Sequence, residues 1–407
     1  MTNNKERLAT LQSQYDKFRE AGLKLDLTRG KPAPQQLDLS NELDGILDGF
    51  YLLQDGTDVR NYGGILGIPE ARKLGAELLD VDPALVMAGG NSSLALMFEY
   101  ARHQMTHWQP GDETIRFLCP VPGYDRHFTV CKALGIEMIN IPLLDSGPDM
   151  DAVEAAVAAD PDIKGIWCVP KYSNPTGITY SDETVQRLAK LPKTAGAHFT
   201  VFWDNAYLVH DLEDTTDPLA NIFQLAEQAG TADGIVMFAS TSKITFAGAG
   251  VAFVAASGNN LAAFEKHLSM QMIGFDKINQ LRHVRFLKDR AGVIEHMKKH
   301  RSLIKPKFDL VLDKLDAALG GKDLATWTRP RGGYFISLDT RPGLASRVVA
   351  MAGEAGVKLT PAGATFPHGR DPEDRNIRIA PTYPSLAELE QAMDVFVTCL
   401  ELVSLED

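Results

Sequence analysis

The sequence predicts an α/β protein with a mostly parallel central sheet flanked by helices, joined to a smaller α+β domain made from both termini. Three observations carry that reading. Short apolar runs bounded by turn residues recur through the middle of the chain, at residues 114–119, 137–141, 165–169, 199–203, 234–239 and 250–255. Helical stretches fall between several of them, and such alternation favours parallel strands joined by helical crossovers. The chain has 407 residues, which is long for a single hydrophobic core, so two domains are expected.

The elements follow in chain order. The opening MTNNKERLATLQSQYDKF is polar and helical in pattern, without the apolar core of a signal peptide. A helix starts near Pro69 and ends at residues 75–79, and beyond the Gly89-Gly90 turn residues 92–103 form the next. Met150–Ala159 and residues 182–191 are the clearest helices between strands. From about 279 to 315 the pattern is long, charged and helical. Pro306 is expected to interrupt it, because proline lacks the N–H and crowds the preceding turn. Residues 332–338 then read as a strand, 347–355 as a helix, Asn376–Ile379 as a strand and 386–403 as the final helix. These boundaries place a large domain at residues 46–285 and a small one at residues 1–45 together with 286–407.

Bulk properties exclude several function classes. With 44% hydrophobic and 23% charged residues the composition is that of a soluble globular protein. A formal net charge of −12 argues against nucleic acid as a partner, since phosphate backbones need basic patches. An anionic substrate must therefore be held by a local group of cations against the overall field. Cys119, Cys131, Cys168 and Cys399 show no C-x-x-C or Cys/His ligand spacing, so no metal site is expected. No run approaches about 18 uninterrupted apolar residues, so no membrane span is expected and the cytoplasm is the default location.

The chemistry concentrates in four short features. Ser173-Asn174-Pro175-Thr176-Gly177 follows an apolar run and is a turn by composition, leaving Asn174 beyond the carboxyl end of a strand. In open α/β sheets that edge binds ligands. Trp203-Asp204-Asn205-Ala206-Tyr207 sits at the end of another run, where an enclosed carboxylate needs a partner. Ser240-Thr241-Ser242-Lys243 puts a lysine among hydroxyls at a third strand end. Gly89-Gly90-Asn91-Ser92-Ser93 precedes a helix, whose N-terminal N–H groups and serine hydroxyls suit a phosphate. Taken singly each has a plain structural reading: an ordinary turn, a helix N-cap at Asp204, a solvated loop around Lys243. Together they supply a lysine, a carboxylate, an amide, a phenol and an anion cradle, which is what pyridoxal 5′-phosphate requires. Lys243 would be its covalent anchor and Asp204 the partner of its ring nitrogen. Asn174 and Tyr207 would donate to its phenolic oxygen, and Asn91, Ser92, Ser93, Ser240 and Ser242 would face its phosphate.

The order Asn174-Pro-Thr-Gly, Asp204-x-x-Tyr207, Ser240-x-Ser242-Lys243 resembles the class I/II aminotransferases of fold type I. The match extends over almost the whole chain. Leu27-Thr28-Arg29-Gly30-Lys31-Pro32 resembles the segment that closes over the substrate, and Pro122-Gly123-Tyr124 the position where an aromatic ring stacks on the pyridine. Asn61-Tyr62-Gly63-Gly64 resembles the loop whose tyrosine reaches the partner subunit's cofactor phosphate, and Arg378 the arginine that grips the substrate α-carboxylate. The wording around residues 27–32 and 61–69 is closest to the bacterial type Ic aspartate aminotransferases. The resemblance implies a ping-pong aminotransferase, with L-aspartate as donor, 2-oxoglutarate as acceptor, and catalytic roles for Lys243, Asp204 and Tyr207. Gly30, Asn174 and Arg378 would bind substrate, and a homodimer would complete each site through Tyr62. Arg29, Lys31, Arg126 and Arg331 are the candidate cations for a side-chain carboxylate. One departure stands out: residues 244–251, Ile-Thr-Phe-Ala-Gly-Ala-Gly-Val, lack the phosphate-binding arginine that most relatives carry there. The rival readings are a β C–S lyase, an aromatic or alanine aminotransferase, and a non-catalytic effector-binding domain.

Overall fold

The computed structural model describes residues 2–28, 30–108 and 114–406. Its centre is an eight-stranded sheet in the spatial order Val86–Ala88, Ala252–Ala256, Ile235–Ser240, Thr200–Asp204, Ile163–Cys168, Arg116–Val121, Glu137–Leu144, Gly147–Pro148. The five neighbours from Ile235–Ser240 to Glu137–Leu144 run parallel. Ala252–Ala256 and Gly147–Pro148 run against their neighbours. Thr200–Asp204, parallel to both its neighbours, is buried along its whole length, as parallel sheets covered on both faces require.

The helices that cover the sheet are built for one-sided burial. Asp182–Lys190 starts at Ser181, whose hydroxyl accepts the Thr184 N–H at 3.2 Å. It buries Val185, Leu188 and Ala189 and carries its charges outward. Burying Val185 and Leu188 contributes about 1.5–3 kcal/mol each.

The two ends of the chain share one core. Leu25–Leu27 pairs in parallel with Val357–Leu359, while Ala325–Trp327, Ile336–Thr340 and Asn376–Ile379 form an antiparallel sheet. Leu11 and Tyr15 of the first helix, Thr2–Glu20, join Phe396, Leu400 and Val403 of the last, Leu386–Glu406, in that core.

Two local expectations are corrected. The Arg290–Leu319 helix runs straight through Pro306. One hydrogen bond is lost there, and burial of Ile304, Phe308, Val311 and Leu315 outweighs it. The break falls earlier, at Lys288, whose φ of 65° ends the Lys277–Leu287 helix before Asp289 caps the next. The strand expected from residue 332 begins at Ile336. Gly332 and Gly333 instead pass so close to Tyr172 that a Cβ at either would collide with it, and Gly333 has φ +85°.

Candidate active site

Topology brings the sequence motifs together. Ile163–Cys168, Thr200–Asp204 and Ile235–Ser240 are adjacent and parallel, so the loops carrying Asn174, Asp204 and Lys243 leave the same sheet edge side by side. They open on a cavity of about 530 Å³, lined among others by Thr28, Gly30, Tyr124, Asn174, Tyr207, Lys243 and Arg378.

Lys243 lies on a tight turn after the strand. The N–H groups of Ile244 and Thr245 both donate to the Thr241 carbonyl at 2.8 Å, and the Thr241 hydroxyl accepts from Val251 N–H at 2.9 Å. The Lys243 ammonium nitrogen sits 4.9 Å from the centre of the Tyr207 ring. Burial lowers its pKa from the ordinary lysine value, opposed by the negative charge of Asp204.

Asp204 is 2% exposed, and its two oxygens differ. Oδ2 lies 3.0 Å from His127 Nε2, whereas Oδ1 is buried without a partner. An unsatisfied carboxylate oxygen is costly to bury, and a protonated ring nitrogen is a donor that would satisfy it. His127 is held in turn by stacking on Trp167, with ring centres 4.3 Å apart and planes at 11°. Tyr124, the residue before the Asp125–Leu134 helix, sets its ring edge-on to His127 at 5.0 Å. Burial pushes the hydroxyls of Tyr124 and Tyr207 up, so both remain protonated donors near neutral pH.

Arg378 projects from Asn376–Ile379 and is 6% exposed. Its Nη1 donates to Asn174 Oδ1 at 3.2 Å and to Asp125 Oδ1 at 3.1 Å, and Nη2 donates to Thr360 Oγ1 at 3.4 Å. The guanidinium lies over the Phe335 ring at 4.9 Å, and Nε is buried without a partner. Asn174 therefore presents its carbonyl oxygen to Arg378, which leaves its NH₂ for another acceptor. Gly30 closes this side, where a Cβ would lie 2.5 Å from the edge of Phe335.

The expected phosphate-facing residues form a second group beside the cavity. The Asn91 side chain donates to Gly248 O at 2.9 Å, Ser242 Oγ to Asn91 O at 3.3 Å, and Ser92 Oγ accepts from Ala95 N–H at 3.1 Å. The Gly89–Ser93 turn is thus tied to the loop that follows Lys243. Ser93 opens the Ser93–Trp108 helix, and Ser240 ends its strand opposite Ala252. Tyr62 stands apart, 84% exposed.

Geometry also sorts the candidate cations. Arg126 lines the cavity with Lys243. Arg331 lines a different one and is tied to Thr215 Oγ1 at 2.6 Å and Asp217 at 3.3 Å. The Lys31 ammonium sits 3.8 Å from the centre of the Tyr383 ring. Arg29 lies outside the described residues. Sequence reasoning missed His127 and Asp125. A usable signal existed for the first, since His127 follows Tyr124 by one helical turn and so shares its face.

Comparison with known proteins shows the family. The family model described as aspartate amino-transferase matches residues 2–407. The chain belongs to that family. It is 50% identical to a protein of Mycolicibacterium smegmatis described as a "putative aminotransferase", over 97% of this chain and 94% of that protein. It is 45% identical to the aspartate aminotransferase of Corynebacterium glutamicum, over 97% and 93%. A solved aspartate transaminase from Corynebacterium glutamicum superposes with a TM-score of 0.95 at 44% identity, covering 100% of this chain and 97% of that one. Family membership makes the protein a pyridoxal-phosphate-dependent aminotransferase of fold type I. The donor set fits that cofactor: the buried, unpartnered Asp204 Oδ1 and the desolvated Lys243 amine share one sheet edge.

Proposed function

We propose that this aminotransferase moves the amino group of L-aspartate to 2-oxoglutarate by a ping-pong mechanism. One observation carries the site assignment: Lys243, Asn174 and the Arg378 fork line one cavity, and the strand that ends at Asp204, whose Oδ1 is unpaired, lies beside the one that leads to Lys243. The 45% identical relative named aspartate aminotransferase supports the choice of substrate, as does a cation, Arg126, in the cavity wall.

Pyridoxal 5′-phosphate, when bound, supplies an electrophilic carbon and an electron sink. The chain's own residues do the rest. Lys243 would hold the cofactor, and its amine would serve as the general base that takes a proton from the substrate Cα. Burial, which lowers its pKa from the ordinary lysine value, favours the neutral amine that this role needs. Asp204 keeps a proton on the ring nitrogen, with His127 holding its other oxygen in place. The Asn174 NH₂ and the Tyr207 hydroxyl would donate to the cofactor's phenolic oxygen, and Tyr124 would supply an aromatic wall to the pocket that holds it. Asn91, Ser92, Ser93, Ser240 and Ser242 hold the phosphate, with backbone N–H groups at the helix start replacing the arginine absent from residues 244–251. Arg378 grips the substrate α-carboxylate through its free Nε edge, for which a bidentate fork is well shaped. Gly30 and Asn174 complete the substrate wall, and Arg126 receives the side-chain carboxylate.

The active form would be a two-fold homodimer. Tyr62, Met270 and Ile273 are large, apolar and exposed, at 62–84%, and the segment around Gly274 lies against Gly63. A second copy covering this face would bring Tyr62 to the neighbouring site. Among the described residues no helix is long and apolar enough to cross a membrane, and a cytoplasmic location is proposed. A donor screen at saturating 2-oxoglutarate tests the substrate. Aspartate should lead; if it ranks far below other amino acids, the substrate assignment fails while the fold and cofactor assignments stand.

A further inference from the structure

The turn that carries Lys243 is gripped from behind by a buried polar ring that the reaction itself does not use. Tyr334 directs its hydroxyl at the Lys243 carbonyl at 3.5 Å, and His210 Nε2 lies 3.3 Å from the same oxygen. The next carbonyl, Ile244 O, receives His296 Nε2 at 2.8 Å and His300 Nε2 at 2.9 Å. Gln36 joins the two halves: its Nε2 lies 3.0 Å from Tyr334 Oη and 3.2 Å from His300 Nδ1. Its Oε1 accepts the Ala33 N–H at 3.0 Å. Gln36 is 1% exposed, and Tyr334 and His300 are fully enclosed.

His300 Nε2 also lies 3.2 Å from His296 Nε2, which meets Ser40 Oγ at 3.3 Å, and the donor inventory is satisfied by the following proton order. The Gln36 NH₂ gives one hydrogen to Tyr334 Oη and the other to His300 Nδ1. Tyr334 then donates to Lys243 O, and His300, with its proton on Nε2, donates to Ile244 O. That tautomer requires neutral imidazoles, and burial lowers the pKa of His300 to about 4 and of His210 to about 3. The ring also joins distant parts of the chain. Gln36 lies on the short Pro34–Asp38 helix, six residues beyond Gly30 in the cavity wall. Tyr334 precedes Phe335, which lies under Arg378.

We propose that Gln36 is a positioning residue for Lys243: by ordering the hydrogen bonds of Tyr334 and His300, it fixes the backbone of the lysine turn and so the placement of the amine. The inference rests on the reading of Lys243 as the cofactor anchor. Losing one such neutral hydrogen bond corresponds to a roughly five-fold change, and displacing a reacting group is more damaging than weakening substrate binding.

The test uses the holoenzyme and two variants, Gln36→Leu and Tyr334→Phe. The second deletes a single oxygen and keeps the ring shape, so it guards against a folding failure in the first. Each should lower kcat roughly five-fold or more while KM stays within about twofold. Each should also move the pH midpoint of the visible band of the Lys243–cofactor linkage by about half a unit. In cofactor-free protein, amide exchange at Ile244 and Thr245 should quicken. The double variant should show less than the sum of the single effects, since both act through one ring. Loss of melting temperature with an unmoved midpoint and unchanged exchange would reduce the ring to ordinary core packing and overturn the proposal. A wild-type protein lacking the visible band would sink the lysine assignment, and this inference with it.

Discussion

His127→Phe is the sharpest probe of how Asp204 is held. Phenylalanine can keep the stack on Trp167, now at 4.3 Å and 11°, but it removes the partner that Asp204 Oδ2 has among the described residues, the His127 Nε2 at 3.0 Å. With Oδ1 already unpartnered, the cofactor-free variant buries a carboxylate with neither oxygen satisfied. Leaving such a group unpaired costs about 1–3 kcal/mol, a loss that denaturant unfolding of the cofactor-free protein resolves. In the holoenzyme the role proposed for the same carboxylate is to keep a proton on the ring nitrogen, and a hydrogen bond to a charged group is worth about 1.5–3 kcal/mol. The expected loss in kcat is therefore roughly ten- to hundred-fold. His127→Gln keeps a donor at similar reach and should recover part of both effects. Unchanged kcat and unchanged unfolding midpoint in His127→Phe would refute the view that His127 secures Asp204.

Three further outcomes follow from the same geometry. Arg126→Ala should raise KM for aspartate at least about ten-fold while leaving turnover of alanine unaltered, because a paired charge is worth about 1.5–3 kcal/mol; an equal loss for both donors would show that Arg126 does not read the side chain. Gly30→Ala places a Cβ 2.5 Å from Phe335, so steady-state kinetics should show a higher KM, and wild-type constants would contradict the close approach. Lys243 has a folded-state pKa below its ordinary 10.5, so between those two values the unfolded chain binds the extra proton and stability rises with pH. Cofactor-free Lys243→Met should lose that part of the rise in unfolding measurements across the alkaline range, and an identical pH profile would argue against a desolvated amine.

Much of the site was legible because its residues lie just past strand ends, where turn chemistry marks the sequence. Asn174, Asp204 and Lys243 are of that kind, and adjacency of their strands in the sheet then places them together. Contacts made across the fold left no such mark. Asp125 meets Arg378 from 253 residues away and Gln36 meets His300 from 264, distances over which one sequence shows no pattern. Strands of three residues, such as Leu25–Leu27 and Val357–Leu359, are too short to show an alternation of period two. Pro306 misled for the opposite reason: local propensity argued for a break, and a buried face on both sides of it held the helix. The candidate cations could be ranked only by seeing which cavity each one lines.

The central claim is that Lys243 carries the cofactor, and borohydride reduction of the holoenzyme followed by peptide mass mapping tests it most directly. The account predicts a phosphopyridoxyl group fixed to the peptide containing Lys243, and none in Lys243→Ala. The same mass on another buried lysine, such as Lys171 or Lys277, or on no lysine at all, would contradict it.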